Sequence, residues 1–116
     1  METLLKFDSL NPNTYGKISE LYGRYLGDLD KAEEFVLKGF SLEENDPDLG
    51  QKLGVIRAMK GDKEGAMQIF KKSLILSPNN ANLLLNVGIT FQSLGQADSS
   101  NYYISKAIEI DPSLKP

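Results

Sequence analysis

Apolar side chains recur along this chain at intervals of three and four residues. In the stretch 63–76, Ala66, Ile69, Phe70, Ser73, Leu74 and Leu76 fall on one stripe. In 81–94, Leu84, Leu85, Val87, Gly88, Ile89 and Phe91 are apolar nearly all round, as in a helix packed between neighbours. In 97–110 the stripe returns as Tyr103, Ile104, Ala107, Ile108 and Ile110. No strand-like alternation bounded by hairpin turns is present. The pattern predicts an all-α chain of about six helices in pairs, near 13–26 and 29–44, 47–60 and 63–76, 81–94 and 97–110.

The pairs repeat. Gly27, Gly61 and Gly95 are spaced 34 residues apart. Five residues after each stands a small residue, Ala32, Ala66 or Ser100, and twelve after each another, Gly39, Ser73 or Ala107. Fifteen after each stands Leu42, Leu76 or Ile110, and Pro78 and Pro112 differ by the same 34. Each glycine lies between two helical segments, where a positive φ closes one helix and opens the turn. Asp28 and Asp62 follow as N-caps, with a side-chain oxygen for the free amides of the next helix. Asp46-Pro47, Ser77-Pro78 and Asp111-Pro112 separate one pair from the next.

Composition narrows the chemistry. The chain has 116 residues, 41% apolar and 25% charged, which fits one packed domain. There is no cysteine and no histidine, so disulfides, Cys/His zinc sites, thiol nucleophiles and imidazole acid–base chemistry are excluded. No cofactor or metal is expected, and Glu33-Glu34 and Glu43-Glu44 with Asp46 and Asp48 read as a solvated acidic edge. A net charge of −3 with scattered basic residues argues against nucleic acid as partner. No apolar run approaches the length needed to cross a bilayer, and the first residues lack a signal-peptide pattern. A cytoplasmic protein, or a soluble domain of a larger one, is the expected setting.

A 34-residue helix–turn–helix unit with this signature resembles the tetratricopeptide repeat. Residues 47–80 carry Leu53-Gly54, Gly61, Ala66, Phe70 and Pro78 at the family's positions. Residues 81–114 carry Val87-Gly88, Phe91, Gly95, Ala107 and Pro112. Residues 13–46 are divergent: counted back from Gly27, Ser19-Glu20 stands for Leu-Gly and Gly23 stands at the tyrosine position. The first helix there is open to a shift of one residue, given the connector-like Asn11-Pro12-Asn13. The resemblance implies a right-handed α-solenoid of three repeats preceded by an N-terminal segment, 1–12. It also implies a concave face, lined by the first helix of each pair, that binds a partner peptide.

By offset within the repeat, that face would present Lys17, Leu21, Arg24 and Tyr25, then Gln51, Lys52, Val55 and Met59, then Asn82, Asn86, Ile89 and Gln92. The carboxylate clamp of chaperone-tail binders is incomplete, because Thr14, Ile18 and Asp48 occupy other clamp-like offsets. The tyrosines Tyr22, Tyr25, Tyr102 and Tyr103 read as packing residues before contact sites. After Pro112 only four residues remain, too few for a capping helix. The chain is therefore expected to be a fragment or a self-associating module, with Tyr102, Tyr103, Ile104 and Ile108 as candidates for contact with another copy. The apolar Leu4, Leu5, Phe7 and Leu10 suggest a segment docking on the first pair. Two functions compete: a non-catalytic scaffold holding a peptide on its concave face, and an oligomerisation or regulatory segment acting through its ends. No motif of catalysis is present.

Overall fold

The computed structural model describes residues 11–116, so the docking expected of Leu4 to Leu10 lies outside the described residues. Among the described residues six helices follow one another: α1 Pro12–Glu20, continued by a π-helical turn Leu21–Tyr25; α2 Leu29–Leu42; α3 Pro47–Met59; α4 Lys63–Leu76; α5 Ala81–Ser93; and α6 Ala97–Ile110. A 3₁₀ turn, Pro112–Leu114, packs back on α6. Among the described residues there is no strand. The helices form antiparallel pairs stacked into an elongated right-handed α-solenoid of 48 × 24 × 24 Å.

The recurring residues have physical work in common. Gly27, Gly61 and Gly95 have φ of 65°, 95° and 78°, and no other described residue has a positive φ. Asp28 and Asp62 accept hydrogen bonds from the amides of Lys31 and Gly65 at 3.0 and 2.9 Å, which satisfies a free donor of α2 and of α4. Asn11, Asp46 and Asn80 do the same for α1, α3 and α5. Gln96 leaves α6 without a side-chain cap. The small residues at the two repeated positions, Ala32, Ala66, Ser100, Gly39, Ser73 and Ala107, are all buried. At Gly54 a Cβ would press on the Phe70 ring, 2.7 Å from Cδ1 and 2.9 Å from Cζ, so close crossing of α3 and α4 depends on that glycine.

Each core cluster straddles two pairs. The first joins Ala32 and Val36 of α2 to Leu49, Leu53 and Ile56 of α3. The second joins Ala66, Met67 and Phe70 of α4 to Leu83 and Val87 of α5. Each pair is thus completed by its neighbour, as nearest-neighbour stacking requires.

The first pair departs from the spacing read from the glycines. The amide of Asp28 donates to the carbonyl of Tyr22, whereas the matching bonds run from Asp62 to Arg57 and from Gln96 to Phe91. The same closing bond therefore spans six residues in the first pair and five in the others. The π turn absorbs the additional residue, with the Leu26 amide donating to the Leu21 carbonyl at 3.3 Å. Upstream of it, every correspondence with α3 is 35 residues. Pro12 matches Pro47, each in the first turn of its helix. Tyr15 packs on Gly39 as Gly50 packs on Ser73.

The assignment of Ser19-Glu20 and Gly23 to the Leu-Gly and tyrosine positions is corrected accordingly. Ile18-Ser19 and Tyr22 hold those positions. Tyr22 stacks on Phe35 at 5.4 Å between centroids, and Phe91 stacks on Tyr103 in the same way at 5.5 Å. Ser19, 1% exposed, has its hydroxyl donate to the Ala32 carbonyl at 2.6 Å. The equivalent carbonyl of Ser100 lies 3.2 Å from where a Cβ on Gly88 would be. Serine fits in place of glycine because its polar atom makes the close approach a hydrogen bond. Ser19→Ala is expected to lower the unfolding free energy by about 1 kcal/mol, read from the urea midpoint. Gly23 belongs to the π turn, and a Cβ there would make only an ordinary contact with Ala32 at 3.5 Å.

The two junctions between pairs are held differently at their turn ends. Lys60 pairs with Asp30 at 2.8 Å and Glu33 at 2.9 Å, and Arg57 lies 3.5 Å from Glu33. Counted 34 residues on, Arg57, Lys60 and Glu33 become Phe91, Leu94 and Met67, which pack together in the second core cluster. Asp30 is held below the ordinary carboxylate range by the hydrogen bond from Lys60 and then by its charge. Its contribution is complete above the unfolded pKa of about 3.9 and is lost as pH falls through the lower folded value. Lys60 is pushed up by its hydrogen bonds to Asp30 and then Glu33. Its contribution is complete below about 10.4 and is lost as pH rises through the raised folded value. With no histidine or cysteine in the chain, the urea midpoint is expected to be flat from about pH 5 to pH 9, and Lys60→Met to flatten the falls beyond both limits.

Candidate functional site: a cleft between the first two pairs

The first helices of successive pairs adjoin, α1 against α3 and α3 against α5. Between α1 and α3 they leave a cleft of ≈ 500 Å³. Its α1 side is built by Ser19, Glu20, Gly23 and Arg24, and its α3 side by Asp48, Gln51, Lys52, Val55, Ile56 and Met59, with Leu29 at one end. The one-residue offset puts Glu20, upstream of the π turn, in the row of Val55 rather than that of Gly54, and so on the cleft.

Of the twelve residues expected on the concave face, Arg24, Gln51, Lys52, Val55 and Met59 line this cleft. Lys17, Leu21 and Tyr25 are exposed on α1 and its π turn but are not part of the lining. Asn82, Ile89 and Gln92 are exposed on α5, and Asn86 is half-buried there. Asp48, placed by the sequence at a clamp-like offset, also lines the cleft, and so does Glu20, which the sequence did not put on this face. The signal for Glu20 was the 35-residue interval from Pro12 to Pro47, which moves it into the row of Val55.

The electrostatics of the cleft are nearly closed on themselves. The Lys52 ammonium lies 3.1 Å from a Glu20 carboxylate oxygen and 2.6 Å from one of Asp48. Burial acts most strongly on Lys52 and by itself lowers its pKa, but the hydrogen bonds and charges of Asp48 and Glu20 together outweigh it, and the pKa is raised. Lys52 stays charged. Among the described residues Arg24 makes no ion pair, and its side chain is exposed. Met59 is 61% exposed beside the half-buried Val55, which leaves an apolar strip next to the charged cluster. α5 continues the face without a single charged side chain.

The residues expected to contact another copy are placed unevenly. Tyr103 is stacked on Phe91 of α5, and Ile104 lies against Gly88 of α5, so both are occupied within their own pair. Ile108 is half-buried and Tyr102 is 60% exposed. Among the described residues no three acidic groups come together as a metal site, and no helix is long and apolar enough to cross a membrane. Of the acidic edge, Glu33 is spent on Arg57 and Lys60, and Asp46 caps α3.

A family model for the tetratricopeptide repeat matches residues 12–46, from the first residue of α1 to the cap of α3. The chain belongs to the tetratricopeptide repeat family. The matched segment is the one with the π turn, and it begins at Pro12, where the structure begins the first pair. The tetratricopeptide chain is 31% identical over 88 residues to the BBSome complex member BBS4 of Bos taurus, covering 76% of this chain and 17% of that protein. It superposes on the crystal structure of MamA with a TM-score of 0.84 at 24% identity, over 96% of this chain and 64% of the other. It superposes on YrrB, described as a tetratricopeptide protein with an unusual peptide-binding site, with a TM-score of 0.79 at 22% identity, over 88% and 52%. These two likenesses are likenesses of fold. The chain spans less than a fifth of that curated relative and about half to two thirds of those solved chains.

Proposed function

We propose that this tetratricopeptide chain is a non-catalytic scaffold that holds an extended segment of a partner protein along its concave face. The repeat units are taken as 12–46, 47–80 and 81–114. The cleft between α1 and α3 is the principal contact, and Asn82, Asn86, Ile89 and Gln92 extend it along α5. The observation that supports this most is the apolar strip of the exposed Met59 and the half-buried Val55, set beside the polar cluster of Glu20, Asp48 and Lys52. An apolar surface with a few convergent polar groups is what a recognition cleft requires. Tetratricopeptide proteins as a family mediate protein–protein interaction, and YrrB is described as having a peptide-binding site.

The test is a random peptide library displayed on phage and selected against the full chain. Recovered peptides are expected to lose binding to the Val55→Glu/Met59→Glu variant while its helical circular dichroism is retained. Recovery of no peptide sensitive to that variant removes the reading. Self-association through α6 has support only from the exposed Tyr102 and Ile110, since Tyr103 and Ile104 already pack on α5.

A further inference from the structure

We infer that the segment held in the α1–α3 cleft carries an apolar side chain within two residues of an acidic one, the first seated on Val55, Ile56 and Met59 and the second paired with Arg24. The inference rests on the peptide-binding reading above and names the chemistry of its ligand.

The middle of the cleft has no charge to give. Lys52 lies between Glu20 and Asp48, and a ligand carboxylate brought there has to displace one of them and approach the other. Like charges at such separations repel strongly where water is partly excluded. A ligand ammonium brought to Glu20 or Asp48 meets Lys52 in the same way. Counting Glu20, Asp48, Arg24 and Lys52, the lining charges sum to zero, so the cleft has no general preference for an acidic or a basic chain.

Arg24 is the exception. It lines the cleft, is exposed, and has no ion-pair partner among the described residues. Its guanidinium is a planar fork suited to a carboxylate. Beside it Gly23 contributes no side chain, and the opposite wall is Val55, Ile56 and Met59. Met59, at 61% exposed, is an apolar surface that a ligand side chain removes from water. In an extended chain successive side chains point to opposite faces and alternate ones share a face. An apolar and an acidic residue no more than two apart therefore reach the two features together.

The peptides recovered from the displayed library carry the test. Peptides that bind through the cleft are expected to be enriched in Leu, Ile, Met or Phe within two residues of Asp or Glu. Replacing the acidic residue by Lys, or the apolar one by Ser, in synthetic copies is expected to weaken binding about ten-fold or more. Selection against Arg24→Glu is expected to return Lys or Arg at the acidic position with the apolar residue unchanged. Cleft-dependent peptides without the apolar–acidic pair, or a charge preference that Arg24→Glu leaves unaltered, overturn the inference and leave the peptide-binding reading standing. The absence of any peptide lost on Val55→Glu/Met59→Glu overturns both.

Discussion

Phe70→Ala is expected to lower the unfolding free energy by about 3–5 kcal/mol, the loss expected for an aromatic side chain removed from a close-packed interior. Phe70 is 1% exposed and belongs to the cluster that joins α4 to α5. Its ring also closes on the bare backbone of Gly54, so it fastens α4 to its own partner α3. One truncation therefore loosens both the middle pair and its junction with the third. A domain of this size has a total stability of about 5–15 kcal/mol, so the urea midpoint should fall by a large fraction. The complementary substitution approaches the same contact from the other side. Gly54→Ala overpacks it and is expected to cost about 1–3 kcal/mol, with part of that restored when Phe70→Leu is added. If Gly54→Ala and Phe70→Leu add independently, the two positions are not in contact in the way described.

Deleting a single residue from α1 is expected to have opposite outcomes on the two sides of the π turn. Removal of Tyr25, 72% exposed, shortens the closing bond between Asp28 and Tyr22 to the five-residue span found in the other two pairs. The packing of Tyr15, Ser19 and Tyr22 is upstream and keeps its register. The unfolding free energy should stay within about 1 kcal/mol of the parent. Removal of Lys17, also exposed, turns everything before it by about 100° around the helix axis. Tyr15 then leaves Gly39, and the Asn11-Pro12 cap leaves the start of the helix. That deletion is expected to cost about 3 kcal/mol or more. Equal effects from the two deletions would show that the additional residue is not housed in the π turn.

The π turn also explains what the sequence disclosed and what it hid. The three glycines at 34-residue spacing marked every turn within a pair, because only a residue without Cβ takes those positive φ angles cheaply. The six small residues marked the helix crossings for the same steric reason. Both signals lie downstream of the insertion in the first pair. Counting backwards from Gly27 carried the added residue into α1 and put Ser19-Glu20 and Gly23 one place out. The earlier punctuation, Asn11-Pro12 against Asp46-Pro47, held the correct interval. The cleft was legible as far as α3, where spacing and register agree, and Val55, Lys52 and Met59 came out as lining residues. Glu20 was not. Asp48, four residues before Lys52 on the same helix, discloses half of the lysine's pairing by spacing alone, and the Glu20 half appears only when the neighbouring helix is set in register. The aromatic pairs were half legible. Periodicity put all four tyrosines on packing faces; Tyr22 and Tyr103 do stack there, whereas Tyr25 and Tyr102, which were also candidates for contact with a partner or another copy, are turned outward.

The unequal junctions give the array a direction in which it comes apart. Stacked pairs fray from their ends, and the weaker junction decides which end. Salt screens exposed ion pairs, so concentrated salt weakens the turn end held by Arg57, Lys60, Asp30 and Glu33 and loosens the N-terminal pair first. Cooling weakens apolar association, so low temperature acts on the same position one repeat later, where Met67, Phe91 and Leu94 meet, and loosens the C-terminal pair. Hydrogen exchange at the two ends would then trade places as solvent conditions change, with α3 and α4 the last to open in both cases.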